Sequence, residues 1–188
     1  MKILYLGVDS GHERLALAWR GQDGEFGHVR MPIDELGAAL KNLRDGCGFD
    51  FVVAAVEKLG SGWNKAKEHV AAANVVIRAI RRTWPRKNVM HVVEPTEWQN
   101  ATTKGIPSDD PKKRSVISAN ARLRQQGLLK PGEPDITDHN ETDAVNILEY
   151  LWCYLRRFEP KPTKKAKATG DAPAPRPRRR GRRWRGWR

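Results

Sequence analysis

Cysteine is scarce. Cys47 and Cys153 are the only two in 188 residues, and neither sits in a CxxC or Cys/His pattern. That excludes a disulfide framework and a structural zinc site, and it suits a reducing compartment. Long hydrophobic runs are missing too. The opening "MKILYLGVDSG" is apolar only briefly, meets an acid at Asp9 and carries no cleavage site of the signal-peptide kind. A soluble cytoplasmic protein with no membrane partner is expected. No segment repeats, which removes solenoids and propellers. Acids are nearly absent from the end of the chain: residues 159–188 hold four Lys and eight Arg against Glu159 and Asp171, so they carry ten of the thirteen net positive charges.

What is there divides accordingly. Residues 1–158 form a nearly charge-balanced unit large enough for one domain with a real core. Residues 159–188 are rich in Lys, Arg and Pro, have almost nothing apolar to bury before Trp184, and are expected to be disordered when free. A basic tail on a balanced domain points to a polyanionic partner, above all nucleic acid. In "PRPRRRGRRWRGWR", Arg182 and Arg183 can neutralise phosphates and Trp184 can stack on a base.

Within the domain, "KILYLGVD" reads as a buried strand, and "RLALAWRG" and "GEFGHVRMP" follow at meander spacing. "IDELGAALKNLRD" has helical spacing, "FDFVVAAVEKLG" is a central strand, and "WNKAKEHVAAANVVIRAIRRTW" is a long helix stopped by Pro85. "NVMHVVEP" is a further strand. "DPKKRSVISANARLRQQG" is a helix with Asp110 as N-cap, and the last helix begins at "DHNETDAVNILEYL". The order β-β-β-α-β-α-β-α-α predicts an α/β fold: a mixed five-stranded sheet, three antiparallel strands and then parallel ones, flanked by helices.

Three carboxylates share a context. Asp9 ends the first strand, Glu57 ends the fourth, and Asp143 lies near the start of the last helix. Acids at the ends of adjacent buried strands converge at one sheet edge, where open α/β sheets bind ligands. Clustered carboxylates repel unless cations neutralise them, and hard oxygen donors suit Mg²⁺, with Mn²⁺ as substitute. Two such ions about 4 Å apart are a standard clamp for phosphodiester hydrolysis.

"GVDSG", "VVAAVEKL" and "HNETDAVNI" together resemble the RuvC-type Holliday junction resolvases, members of the RNase H-like (retroviral integrase) superfamily, over about residues 2–158. The resemblance implies an RNase H-like fold, two metal ions per site, and a homodimer that nicks two opposed strands of a four-way DNA junction. With the short chain and basic tail it also suggests a phage-encoded version. The family usually has Asp or His three residues before the last Asp. Here Asn140 stands there and His139 is one residue further back, so either Asn140 or His139 completes the set held by Asp9, Glu57 and Asp143. Asp138 reads as the helix cap, with Glu141 stabilising the same end.

Other residues fit DNA. Trp63, in "GSGWNK", is placed to stack on an unpaired base or to staple the helix start, with Lys65 beside it. Lys112, Lys113 and Arg114 crowd one helix start, and Lys113 resembles a family lysine facing the scissile phosphate. "WQNATTKG" resembles a DNA-facing loop of the family and adds Lys104 and Gln99. Two other readings remain: another RNase H-like nuclease acting on branched or single-stranded DNA in packaging or recombination, and a non-catalytic junction-binding protein. The long helix after Trp63, apolar on more than one face, is the expected dimer surface.

Overall fold

The computed structural model describes residues 1–58 and 66–155. Trp63 and Lys65, and Arg182, Arg183 and Trp184 of the tail, lie outside the described residues. Strands β1 (Ile3–Asp9), β2 (Arg14–Gly21) and β3 (Phe26–Pro32) form the meander, followed by a 3-10 turn at Ile33–Glu35 and helix α1 (Leu36–Gly46). Then come β4 (Phe51–Glu57), α2 (Ala66–Thr83), β5 (Asn88–Val93), α3 (Pro95–Thr102), α4 (Pro111–Gln125) and α5 (His139–Tyr150), which runs into a π-helical turn at Leu151–Leu155.

The five strands lie in the order β3-β2-β1-β4-β5. β1 pairs antiparallel with β2 and parallel with β4, while β2–β3 is antiparallel and β4–β5 parallel. This is the mixed sheet expected from the sequence. β1 and β4 are central, which is why they read as unbroken apolar runs: both their faces are covered.

Strand alternation separates two cores. Leu4, Leu6 and Val8 of β1, with Val52, Ala54 and Val56 of β4, face Leu36, Leu40 and Leu43 of α1 and Ala73, Val76 and Ile80 of α2. Ile3, Tyr5, Ala16, Ala18, Val53 and Ala55 face the other way, against Trp98, Leu123, Val145, Ile147 and Leu148 of α3, α4 and α5. The second face is lined with small residues, and α5 lies close on it. A Cβ on Gly7 would run into the Ala144 carbonyl and the Leu148 amide of α5.

Helix α3 departs from the sequence expectation, which kept "WQNATTKG" as a loop. It is short, but Pro95 sits in its first turn, and Glu94 and Glu97 form a reciprocal cap in which the Glu94 N–H donates to Glu97 Oε2 at 2.8 Å. Gln99 therefore lies half-buried on a helix, and exposed Lys104 sits in the turn after it. Among the described residues, no helix is long and apolar enough to cross a membrane.

Candidate active site

β1 and β4 run parallel with Val8 opposite Val56, so the next residues, Asp9 and Glu57, emerge side by side at the same sheet edge. Ser10 ties the two strand ends by donating its hydroxyl to the Glu57 carbonyl at 2.6 Å. Asp9 follows Ile3, Tyr5 and Gly7 on the α5 side of β1, and the first turns of α5 pass over it. The two carboxyl groups are close enough to act directly on each other's protonation. Burial pushes the Asp9 carboxyl well above the usual range, and the adjacent Glu57 pushes it further. Glu57 is also raised by burial, against the pull of hydrogen bonds from Asp9 and Trp98. Fully ionised, the two adjacent carboxylates would repel, so a shared proton or a cation stabilises the pair.

Asp143 stands beside this pair. Burial pushes its carboxyl up to about 7, although the Ser115 hydroxyl donates to it and opposes the rise, and the charge on Asp9 adds to it. Ser115 is held in turn by Asn146, whose amide donates to the Ser115 hydroxyl at 2.9 Å and to its carbonyl at 3.1 Å. Trp98 of α3 donates its indole N–H to Glu57 at 3.3 Å. Glu57 and Asp143 thus each have a supporting donor on another element, α3 and α4.

The start of α5 is sorted by its hydrogen bonds. Asp138 caps the helix, accepting from the N–H groups of Asn140 at 2.8 Å and Glu141 at 3.4 Å, which is the cap read from the sequence. Glu141 lies in the first turn, as that reading has it, without bonding back to the cap backbone. It reaches across to β3 and meets His28 at 2.6 Å. Asn140 donates its side-chain amide to Asp138 at 3.2 Å, which leaves its carbonyl oxygen as the donor to a cation. His139 lines a shallow depression of about 400 Å³ with Lys112, Lys113, Val116, Ile117 and Thr137. Burial holds its pKa below the ordinary histidine value, and Lys112 adds to that.

Lys112 and Lys113 are exposed on the first turn of α4 and Arg114 is half-buried. The sequence favoured Lys113, yet it is the charge of Lys112 that reaches both Asp143 and His139. Ser115, Asn146, Trp98, Ser10 and Arg30 were not singled out in the sequence. Ser115, Asn146, Trp98 and Arg30 are ordinary polar or aromatic residues within elements, and Ser10 follows β1 inside "GVDSG", where the acid before it drew the reading. Among the described residues, no three His, Cys, Asp or Glu side chains form a ready cage for one ion. Asp9 and Glu57 are drawn to each other and Asp143 to Ser115, so the acids form a pair and a neighbour.

No protein-family model matches the chain, and no curated protein matches it in sequence. Solved structures do. The structure of Thermus thermophilus RuvC in complex with a Holliday junction substrate matches at 13% identity and a TM-score of 0.57, covering 83% of this chain and 96% of that one. Thermus thermophilus RuvC matches in a second structure at 15% identity and a TM-score of 0.56, covering 82% and 96%. The yeast mitochondrial Holliday junction resolvase Ydc2 matches at 10% identity and a TM-score of 0.45, covering 77% of this chain and 75% of that one. The mixed five-stranded sheet with helices on both faces is a RuvC-type resolvase fold.

Proposed function

We propose that the chain is a Mg²⁺-dependent endonuclease that resolves four-way DNA junctions as a homodimer, each subunit hydrolysing a phosphodiester in one of two opposed strands. The observation that carries this reading is the adjacent, buried Asp9–Glu57 pair at the ends of β1 and β4, with Asp143 beside it. The junction-bound T. thermophilus RuvC structure supports the choice of substrate.

The donor set fits a divalent metal. Buried carboxyls that cannot all ionise together are stabilised by a cation, and all-oxygen donors favour Mg²⁺ or Mn²⁺ over zinc. Asp9, Glu57 and Asp143 would hold it, with the Asn140 carbonyl oxygen or His139 completing the set. When bound there, the metal supplies activation of a water and charge neutralisation at the scissile phosphate. The chain's own residues do the rest. Trp98 fixes the Glu57 carboxylate and Ser115 fixes that of Asp143. Lys112, with Lys113 and Arg114, offers positive charge to the phosphodiester backbone. Trp63, Lys65 and the Arg/Trp tail would extend the grip on DNA.

The test is nicking of a synthetic four-way junction in Mg²⁺. Wild type should give paired, symmetric nicks that a ligase can seal, and Asp9→Asn should lower the rate by about a thousand-fold or more. Equal rates for the two would overturn the site. Comparison with flaps, forks and RNA–DNA hybrids separates junction resolution from a broader RNase H-like nuclease. The neutral Asn140 in place of a fourth acid is what a competing reading, a non-catalytic junction binder, rests on. Tight junction binding with no product in Mg²⁺ or Mn²⁺ is its signature.

A further inference from the structure

The strand register sets three residues in one row across the sheet on the α5 side. Asp9 of β1 lies opposite Ala16 of β2, and Ala16 lies opposite Arg30 of β3. Directly paired residues share a face, and strands are about 4.8 Å apart, so Arg30 is two strands from Asp9 with only a methyl group between. The row is therefore open for a long side chain. Arg30 fills it by donating from Nη1 to Asp138 at 2.8 Å, and its charge is felt at Asp9, Asp138 and His139.

The next row repeats the arrangement. Gly7 pairs with Ala18 and Ala18 with His28, and His28 meets Glu141. The edge strand thus reaches over two small residues twice and holds the first turn of α5 each time. Asp138 is the pivot: Oδ1 caps the helix backbone while Oδ2 takes Arg30. Asp143 lies five residues further along the same helix.

We propose that Arg30 is a positioning residue for the acidic site: through Asp138 it fixes the start of α5 against the sheet edge, and so fixes where Asp143 stands relative to Asp9 and Glu57. The proposal rests on the nuclease reading for its kinetic test only. The ion pair is partly exposed and adds little to global stability, so loss of Arg30 leaves the fold intact and acts locally.

Asp138→Asn makes the test specific. Asparagine caps a helix as well as aspartate does, so this variant keeps the cap and removes the carboxylate partner of Arg30, together with one negative charge felt at Asp9 and Asp143. Arg30→Ala and Asp138→Asn should each lower the maximal nicking rate about ten-fold, with KM for the junction within about two-fold of wild type. The double variant should be no worse than the poorer single, and Arg30→Lys should recover most of the rate. Hydrogen exchange at the amides of Asn140 and Glu141 should speed up in Arg30→Ala, while Arg44→Ala on the opposite layer leaves it unchanged. A raised KM with the maximal rate retained would mean that Arg30 touches DNA itself, and losses that multiply in the double variant would mean that the two act independently. Either result overturns the proposal. Should wild type nick no junction, the nuclease reading falls, and the exchange measurement still decides: unchanged exchange in Arg30→Ala refutes the role assigned to Arg30.

Discussion

A carboxyl group buried beside other carboxyls carries a cost that grows with pH. Asp9, Glu57 and Asp143 all have folded-state pKa values above their ordinary ones, burial being the largest cause each time. A raised carboxyl favours the folded state fully below its unfolded pKa, and that contribution is lost as pH climbs through the folded value, about 7 for Asp143. His91 and His139 are depressed by burial and act in the opposite sense, but only up to their ordinary value of 6.5. Between about pH 6.5 and 8 the acids alone should set the slope. In EDTA, the melting temperature is expected to fall by roughly 5 °C across that window, and millimolar Mg²⁺ should restore it at the upper end. A melting temperature flat in pH would mean the acids are not strained against one another. Asp9 and Glu57 were legible in the sequence because each ends an apolar run that only a central strand explains. Their supports were not. Ser115 meets Asp143 across 28 residues, and Trp98 meets Glu57 across 41, so only the folded chain relates them.

At the level of elements, α5 is the part that brings Asp143 to the sheet. Its approach depends on Gly7, Ala16 and Ala18 having little or no side chain on that face. Gly7→Ala would place a methyl group against α5 backbone, which has no rotamer to move. The expected cost is about 3 kcal/mol in urea unfolding, with nicking reduced further than stability alone explains, because α5 must lift away with Asp143. A loss under about 1 kcal/mol would show that α5 shifts freely on the sheet. Most elements were readable, since their periodicity is strong and their boundaries carry Gly or Pro. Helix α3 was missed for a physical reason. It is eight residues long and buries only Trp98 and Thr102, too few positions to make a period, and its cap uses Glu94 at the end of a strand-like run. Glu141 is the helix-start acid the sequence suggested, but its partner on β3, 113 residues away, could not be read from it.

At the scale of the molecule, the described residues hold one acid cluster, whereas the four-way junction of the proposed function has two-fold symmetry and needs two opposed cuts to be resolved. Two identical subunits about a two-fold axis satisfy both conditions. Helix α2, the surface expected from the sequence to pair them, is less evenly apolar than that reading assumed. Ala72, Ala73, Val76 and Ile80 are buried within the subunit. What remains outside includes Ala71, Asn74, Val75 and Arg78, and Val75 is 39% exposed. A branched apolar side chain at the centre of an otherwise small and polar helix face is where a self-complementary contact would concentrate its energy. Val75→Glu would place like charges across such a two-fold contact while leaving the subunit core untouched. Sedimentation should then find wild type as a dimer at micromolar concentration and Val75→Glu as a monomer. On a junction, the variant should leave singly nicked product, because the second cut has lost its tethered partner. Wild type sedimenting only as a monomer, or Val75→Glu remaining a dimer with paired nicks, would move the interface off α2.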